Sequence, residues 1–177
     1  MEGGDSSVVR RLWSIHEIEQ LAYKYAYAVD FRDVDMYRSL WAETDTPAGY
    51  PDMDVHTVET MIEQWPDRGP SILFVCNHLI ELDDETHAHG SVYCIVQVGW
   101  GDRFIDQSIM YQDRYVSEDG TWRFLSRRHL LWFGTDRELN PFRQQAAHWP
   151  KSPAGRGTLP EDVESYRAFR SRPVRRS

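Results

Sequence analysis

The stretch "LAYKYAYAVDFRD", Leu21 to Asp33, is apolar, carries three tyrosines, and runs straight into an acid, Asp30. A carboxylate set against an apolar wall is desolvated, which raises its pKa towards neutrality, where it can take and return a proton. The structural alternative is that Asp30 caps its helix or pairs with Arg32 or a strand residue. On an ideal helix Tyr23 and Tyr27 stand beside it. Other reactive residue types form weaker patterns. His87 and His89 in "THAH" share one strand face, a spacing open to two metal ligands. Zinc wants three or four convergent ligands and no third is evident, so no metal is expected. Cys76 and Cys94 make no CxxC pair and fit reduced, buried thiols. No Gly-rich phosphate loop or nucleophile elbow is present.

The elements that must position Asp30 follow from periodicity. From Leu12, apolar residues fall at Ile15, Ile18, Ala22, Tyr25 and Val29, one face of a helix, with Ser14 and Glu17 as a capping pair. A short helix through Met36, Tyr37, Leu40 and Trp41 follows, then a loop over "ETDTPAGYPDMD", then a third helix over "VHTVETMIEQW" stopped by Pro66. Beyond Gly69 the period becomes two. "SILFVCNHLIEL", "THAHGSVYCIVQV", "RFIDQSIMYQDRYV" and "TWRFLSRRHLLWF" read as strands joined by short turns, an antiparallel meander. Three helices followed by a sheet of four or more strands give an α+β fold with helices on one face. Residues 1–139 are expected to form the domain and 140–177 a partly ordered extension, anchored by Trp149 and Phe169, that covers a pocket mouth.

The whole-chain properties narrow the classes. A chain of 177 residues is long enough for one domain with a sizeable core. Its net charge of −8 argues against nucleic-acid binding, which needs a basic surface. No apolar run could span a membrane and no signal peptide is apparent, so a cytoplasmic protein is expected.

The order of elements, "YAYAVDFRDVDMYRSLWAE" near the start and "YQDRYVSEDGTWRFLSRR" near the end resemble the SnoaL-like family of the nuclear transport factor 2 superfamily, over roughly residues 10 to 135. The resemblance covers scytalone dehydratase, bile acid 7α-dehydratase and dehydrochlorinase relatives. It implies a curved sheet wrapped around helices to make a cone-shaped pocket. It also implies roles. In family dehydratases an aspartate at the place of Asp30 orients a histidine that acts as general base. Tyr25 matches a pocket tyrosine that hydrogen-bonds a substrate oxygen, and Arg127 matches a pocket arginine that polarises a leaving group.

The catalytic histidine departs from the pattern. Members with the dyad read roughly H-F-V-G-N-H-L-I-E-L, and here "LFVCNHLIEL" puts Leu73 in the histidine's slot. His78 matches a second histidine that relatives carry without using it as the base. Strand alternation sends 73 and 78 to opposite faces, and only a bulge would bring His78 round as an alternative base. Ile109 and Trp132 also replace more polar residues of relatives, so the pocket, lined by Leu73, Tyr27, Ile109 and Trp132, is expected to be greasy.

Two functions are implied. One is a cofactor-independent lyase, cyclase or isomerase, dehydratase-like, acting on a small hydrophobic oxygenated ring compound such as a polyketide or steroid, with Asp30 as acid/base and Tyr25 and Arg127 beside it. The other is a catalytically silent ligand-binding or scaffold protein, because of Leu73. Self-association through the sheet is expected, a trimer ahead of a dimer.

Overall fold

A computed structural model describes residues 2–44, 53–148, 151 and 154–172. It opens with one long helix, α1 (Glu2–Asp30). The buried positions Ile18, Leu21, Ala22, Tyr25, Ala26 and Ala28 follow the three-and-four spacing of a single helical face. The expected start at Leu12 is corrected: Ser14 caps nothing and lies inside a helix that begins at Glu2. Apolar periodicity marks where a helix meets a core, and the first turns meet none. Val8, Val9, Leu12 and Trp13 are all exposed.

At the other end, Arg32 takes left-handed backbone geometry with φ 53°. Across it the Asp33 amide donates to the Ala28 carbonyl at 3.0 Å, the bond that closes a helix through a left-handed residue. Asp33 then caps α2 (Val34–Ser39), its Oδ1 accepting from the Met36 amide at 3.0 Å. The third helix is shorter than its sequence suggests. Asp54 caps a 3-10 turn at Val55–Thr57, α3 covers Val58–Glu63, and Pro66 sits in a second 3-10 turn at Trp65–Asp67. Most of the loop expected before it lies outside the described residues.

Four strands follow: β1 (Arg68–Leu82), β2 (His87–Trp100), β3 (Arg103–Glu118) and β4 (Thr121–Asp136). They pair antiparallel in sequence order. Gly101 and the Asp119–Gly120 pair, all at positive φ, make the two tight hairpins. Four irregularities interrupt the register. In β1, Gly69 and Pro70 together face one residue of β2, and so do Cys76 and Asn77, while Leu125 and Trp132 are the extra residues of β4. Bulges bend and twist strands. The curved sheet packs on α1 through β1 and β4, an α+β cone with helices on one face. Tyr25 is the hub of the core, with Tyr37, Trp41, Tyr111 and Phe124 ring centres 5.5–6.5 Å away.

The C-terminal segment attaches by a few anchors. Phe142 meets Phe104 at 5.7 Å, and α4 (Glu164–Arg170) buries Tyr166 and Phe169. Phe169 lies 5.8 Å from Trp65, and Ser165 Oγ donates to the Phe31 carbonyl at 2.9 Å. Trp149 and the last five residues lie outside the described residues. No helix among the described residues is long and apolar enough to cross a membrane.

Candidate functional site

Between α1, α3 and the concave face of the sheet lies a cavity of about 360 Å³, a size suited to a small molecule. Tyr25, Ile109 and Tyr111 form its buried floor. Leu73, Val96 and Val98 are among its walls, and at the open end stands Trp100, which is 51% exposed.

Asp30 is the last residue of α1. Its Oδ2 accepts from the Leu73 amide at 3.0 Å and its Oδ1 from Ser71 Oγ at 3.1 Å. Ser71 Oγ in turn accepts from Arg32 Nη1 at 3.4 Å. The partners Ser71, Leu73 and Arg32 all line the cavity, so the carboxylate sits directly behind its wall. Burial pushes Asp30 up to about 6, against the opposing pull of the Leu73 amide, Ser71 and the Arg32 charge. A carboxyl poised there is mostly ionised at neutral pH and able to act as a base.

Tyr25 lines the cavity and points its hydroxyl at Met53 Sδ, 3.7 Å away. Arg127 lies behind it. Only 1% exposed, Arg127 donates from Nε and Nη2 to both oxygens of Asp113, at 2.8 and 2.7 Å. Its guanidinium sits 4.0–4.3 Å from the ring centres of Tyr25, Tyr111 and Phe124. Arg127 therefore does not line the cavity. It meets the site through the face of the Tyr25 ring, a cation–π contact.

The row continues to His78. The Tyr115 hydroxyl donates to Asp113 Oδ2 at 2.8 Å, so the 3.0 Å contact between Tyr115 and His78 Nε2 uses an imidazole N–H. The Cys76–Asn77 bulge turns His78 to the inner face, which plain alternation would have denied it. Burial, chiefly, holds His78 down at about 4, neutral at physiological pH. It does not line the cavity.

Of the four residues expected in the pocket wall, Leu73 and Ile109 line the cavity. Tyr27 and Trp132 lie outside it, 63% and 65% exposed. Tyr27 is two residues from Tyr25, about 200° round the helix and so on its opposite face. Trp132 is the extra residue of a bulge and sits over Tyr93 on the outer face of the sheet. Sequence reasoning missed Arg32, Arg68, Gln107 and His129, which all line the cavity. His129 carried a readable signal, two residues beyond Arg127 on the same strand. Arg32 carried none, because its direction depends on a left-handed backbone angle. Outside the cavity, His87 is held by Asp84 and His89 by Asp83.

Comparison with known proteins agrees with this architecture. A family model described as a SnoaL-like domain matches residues 10–128. The solved structure of LinA is 22% identical, with a TM-score of 0.66 over 75% of this chain and 95% of that one. Hexachlorocyclohexane dehydrochlorinase LinA-type3 from Novosphingobium barchaimii is 20% identical, with a TM-score of 0.64 over 73% of this chain and 94% of that one. A protein provisionally named scytalone dehydratase, from Novosphingobium aromaticivorans, is 17% identical, with a TM-score of 0.64 over 75% of this chain and 93% of that one. These identities speak for a shared fold. No curated protein matches the sequence.

Proposed function

The chain belongs to the SnoaL-like domain family of the nuclear transport factor 2-like superfamily, and on that premise we propose that it is a cofactor-independent lyase, cyclase or isomerase with Asp30 as acid/base. Its substrate is a small, hydrophobic, oxygenated ring compound such as a polyketide or steroid. One observation carries the reading: a carboxylate raised to about 6, fixed by two hydrogen bonds behind the wall of a mainly apolar 360 Å³ cavity. With a substrate seated against Ser71 and Leu73 and reaching past them to the carboxylate behind, Asp30 removes a proton from a carbon beside a substrate carbonyl. The same carboxyl then returns it, to a leaving hydroxyl in an elimination or to a second carbon in an isomerisation. The Tyr25 hydroxyl turns from Met53 to the enolate oxygen as charge develops there. Arg127 contributes from behind, its charge held against the Tyr25 ring by Asp113.

A second reading has its own observation. Leu73 fills the slot where dyad enzymes of the family carry their histidine, and His78 is tied into the Tyr115–Asp113 row away from the cavity. On this reading the chain is a catalytically silent ligand-binding or scaffold protein. Asp30→Asn separates the two when assayed on ring ketones and β-hydroxy ketones. A fall of about a hundredfold or more supports the enzyme with Asp30 as its base, turnover independent of Asp30 removes Asp30 from that role, and no turnover in the parent chain supports the silent protein. Either protein works in the cytoplasm and self-associates through its outer sheet face, a trimer ahead of a dimer.

A further inference from the structure

We propose that the cavity takes a ring compound bearing a carboxylate, with that carboxylate held between Arg32 and Arg68 and the ring lying among Trp65, Val98, Trp100 and Ile105. The proposal rests on the reading that the cavity receives a small hydrophobic ring compound and names the group such a compound carries.

The lining of the cavity includes two guanidiniums and, among the described residues, no carboxylate. Several arginines elsewhere are paired with acids: Arg38 with Glu59, Arg103 with Asp136, Arg127 with Asp113 and Arg137 with Asp106. Among the described residues, Arg32 and Arg68, the two that line the cavity, form no ion pair with an acid. Arg32 is only 3% exposed, yet its donors meet neutral oxygens: the Val29 carbonyl, the Gly69 carbonyl at 2.9 Å and Ser71 Oγ at 3.4 Å. Arg68 gives one hydrogen bond, to the amide oxygen of Gln64 at 2.9 Å. Five N–H donors on each guanidinium leave ample capacity for a planar, two-oxygen acceptor.

Both cations are also oriented. Arg32 stacks over Trp65 at 5.3 Å and Arg68 over Trp100 at 5.2 Å, and both tryptophans line the same cavity. Stacking fixes the plane of a guanidinium while leaving its N–H edge to bind. Arg32 further adopts a left-handed conformation, φ 53°, that side-chain-bearing residues seldom take and that is strained for them. Glycine or asparagine would end α1 there without that strain. An arginine in that position places a guanidinium in the cavity.

The charges favour an anion. Burial, and more weakly the neighbouring Arg68, lower Arg32 to about 10, which leaves it charged at neutral pH. A ligand carboxylate between the two would relieve their repulsion. Asp30 attracts Arg32 through space but shares no direct hydrogen bond with it, the two being bridged by Ser71 Oγ. One carboxylate against two guanidiniums leaves the site positive even with Asp30 ionised.

The test compares 1-naphthoate with 1-naphthamide, alike in ring and shape and different in charge, by titration calorimetry on the full chain. The acid is expected to bind about tenfold or more tightly than the amide, and to weaken on adding salt. Arg68→Gln, at a half-buried rim position, should bring the two affinities together, while Arg68→Lys keeps part of the preference. Equal affinities, a tighter amide, no binding of the acid at millimolar concentration, or a preference that survives Arg68→Gln would each overturn the proposal. The assay needs no turnover, so the two readings fail separately. Asp30-dependent catalysis without a preference for the acid sinks only the carboxylate, and the reverse result sinks only the catalysis.

Discussion

Asp30 is both hydrogen-bonded and raised, and the two facts pull in different directions. The Leu73 amide and Ser71 stabilise its anion, yet burial outweighs them and sets it at about 6. A base of this kind works when ionised, so the rate of an Asp30-dependent reaction should fall as pH drops below about 6. A pH–rate profile flat down to pH 5 (about a unit below that value) would remove Asp30 from the chemistry. Stability gives an independent measure. Asp30 has a folded-state value above its ordinary 3.8, so the stability that it lends is present below 3.8 and lost as pH rises through about 6. His78 is the opposite case. Its value is lowered from 6.5 to about 4, so its contribution is present above 6.5 and lost as pH falls through about 4. Asp30→Asn removes the first effect and leaves the second. At pH 7 the variant should be as stable as the parent or up to ~2 kcal/mol more stable, and it should lose stability more steeply on acidification. Urea unfolding across that pH range decides it. A variant clearly weaker than the parent at pH 7 would make Asp30 a structural acid.

At the scale of elements, the question is which face each side chain reaches. The β1 bulge at Cys76–Asn77 brings Leu73 and His78 to the same inner face, but only Leu73 reaches the cavity. Leu73→His should therefore place an imidazole next to Asp30, whose carboxylate already contacts the Leu73 amide. Dehydratase-type turnover should rise by about tenfold or more with Asp30 intact and not at all with Asp30→Asn. A rise in both backgrounds would mean that the new histidine works without the dyad. α4 supports the other side of the cavity, with Phe169 against Trp65. Phe169→Ala should lower stability by about 2–4 kcal/mol and weaken ligand binding, as seen in thermal melts and titrations. Unchanged melting would detach α4 from the core. Helix α1 and all four strands were legible in the sequence because their apolar periods differ and Gly and Asp punctuate the turns. Tyr25 was legible as an inward residue for the same reason, whereas Leu73 and Ile109 were placed in the pocket by the family resemblance and do line the cavity. What was not legible lies beyond a bulge or a left-handed residue. A single extra residue reverses the face of all that follows and leaves no mark in composition. Trp132 and His78 were misplaced on that account, and Arg32 went unseen because one backbone angle sends it inward.

At the scale of the whole molecule, the sheet has two faces and the helices cover one. Ile72, Phe74, Tyr93, Ile95 and Trp132 are exposed by 36–65%, mostly on neighbouring strands with Tyr93 and Trp132 in ring contact at 6.2 Å. Single exposed apolar side chains need no explanation, but a contiguous patch on a rigid sheet is the usual mark of an interface. The cavity opens on the opposite, concave side, so assembly through the outer face leaves it accessible. Light scattering on the intact chain should thus give a multiple of 20.8 kDa, three copies ahead of two. Phe74→Lys together with Ile95→Lys places two charges on the outer face without touching a cavity residue. The pair should reduce the assembly to a monomer while the affinity for ring ligands stays within about twofold. A parent chain that is already monomeric at micromolar concentration would defeat the interface. Loss of ligand affinity in the monomeric pair would show instead that each cavity is completed by a neighbouring copy.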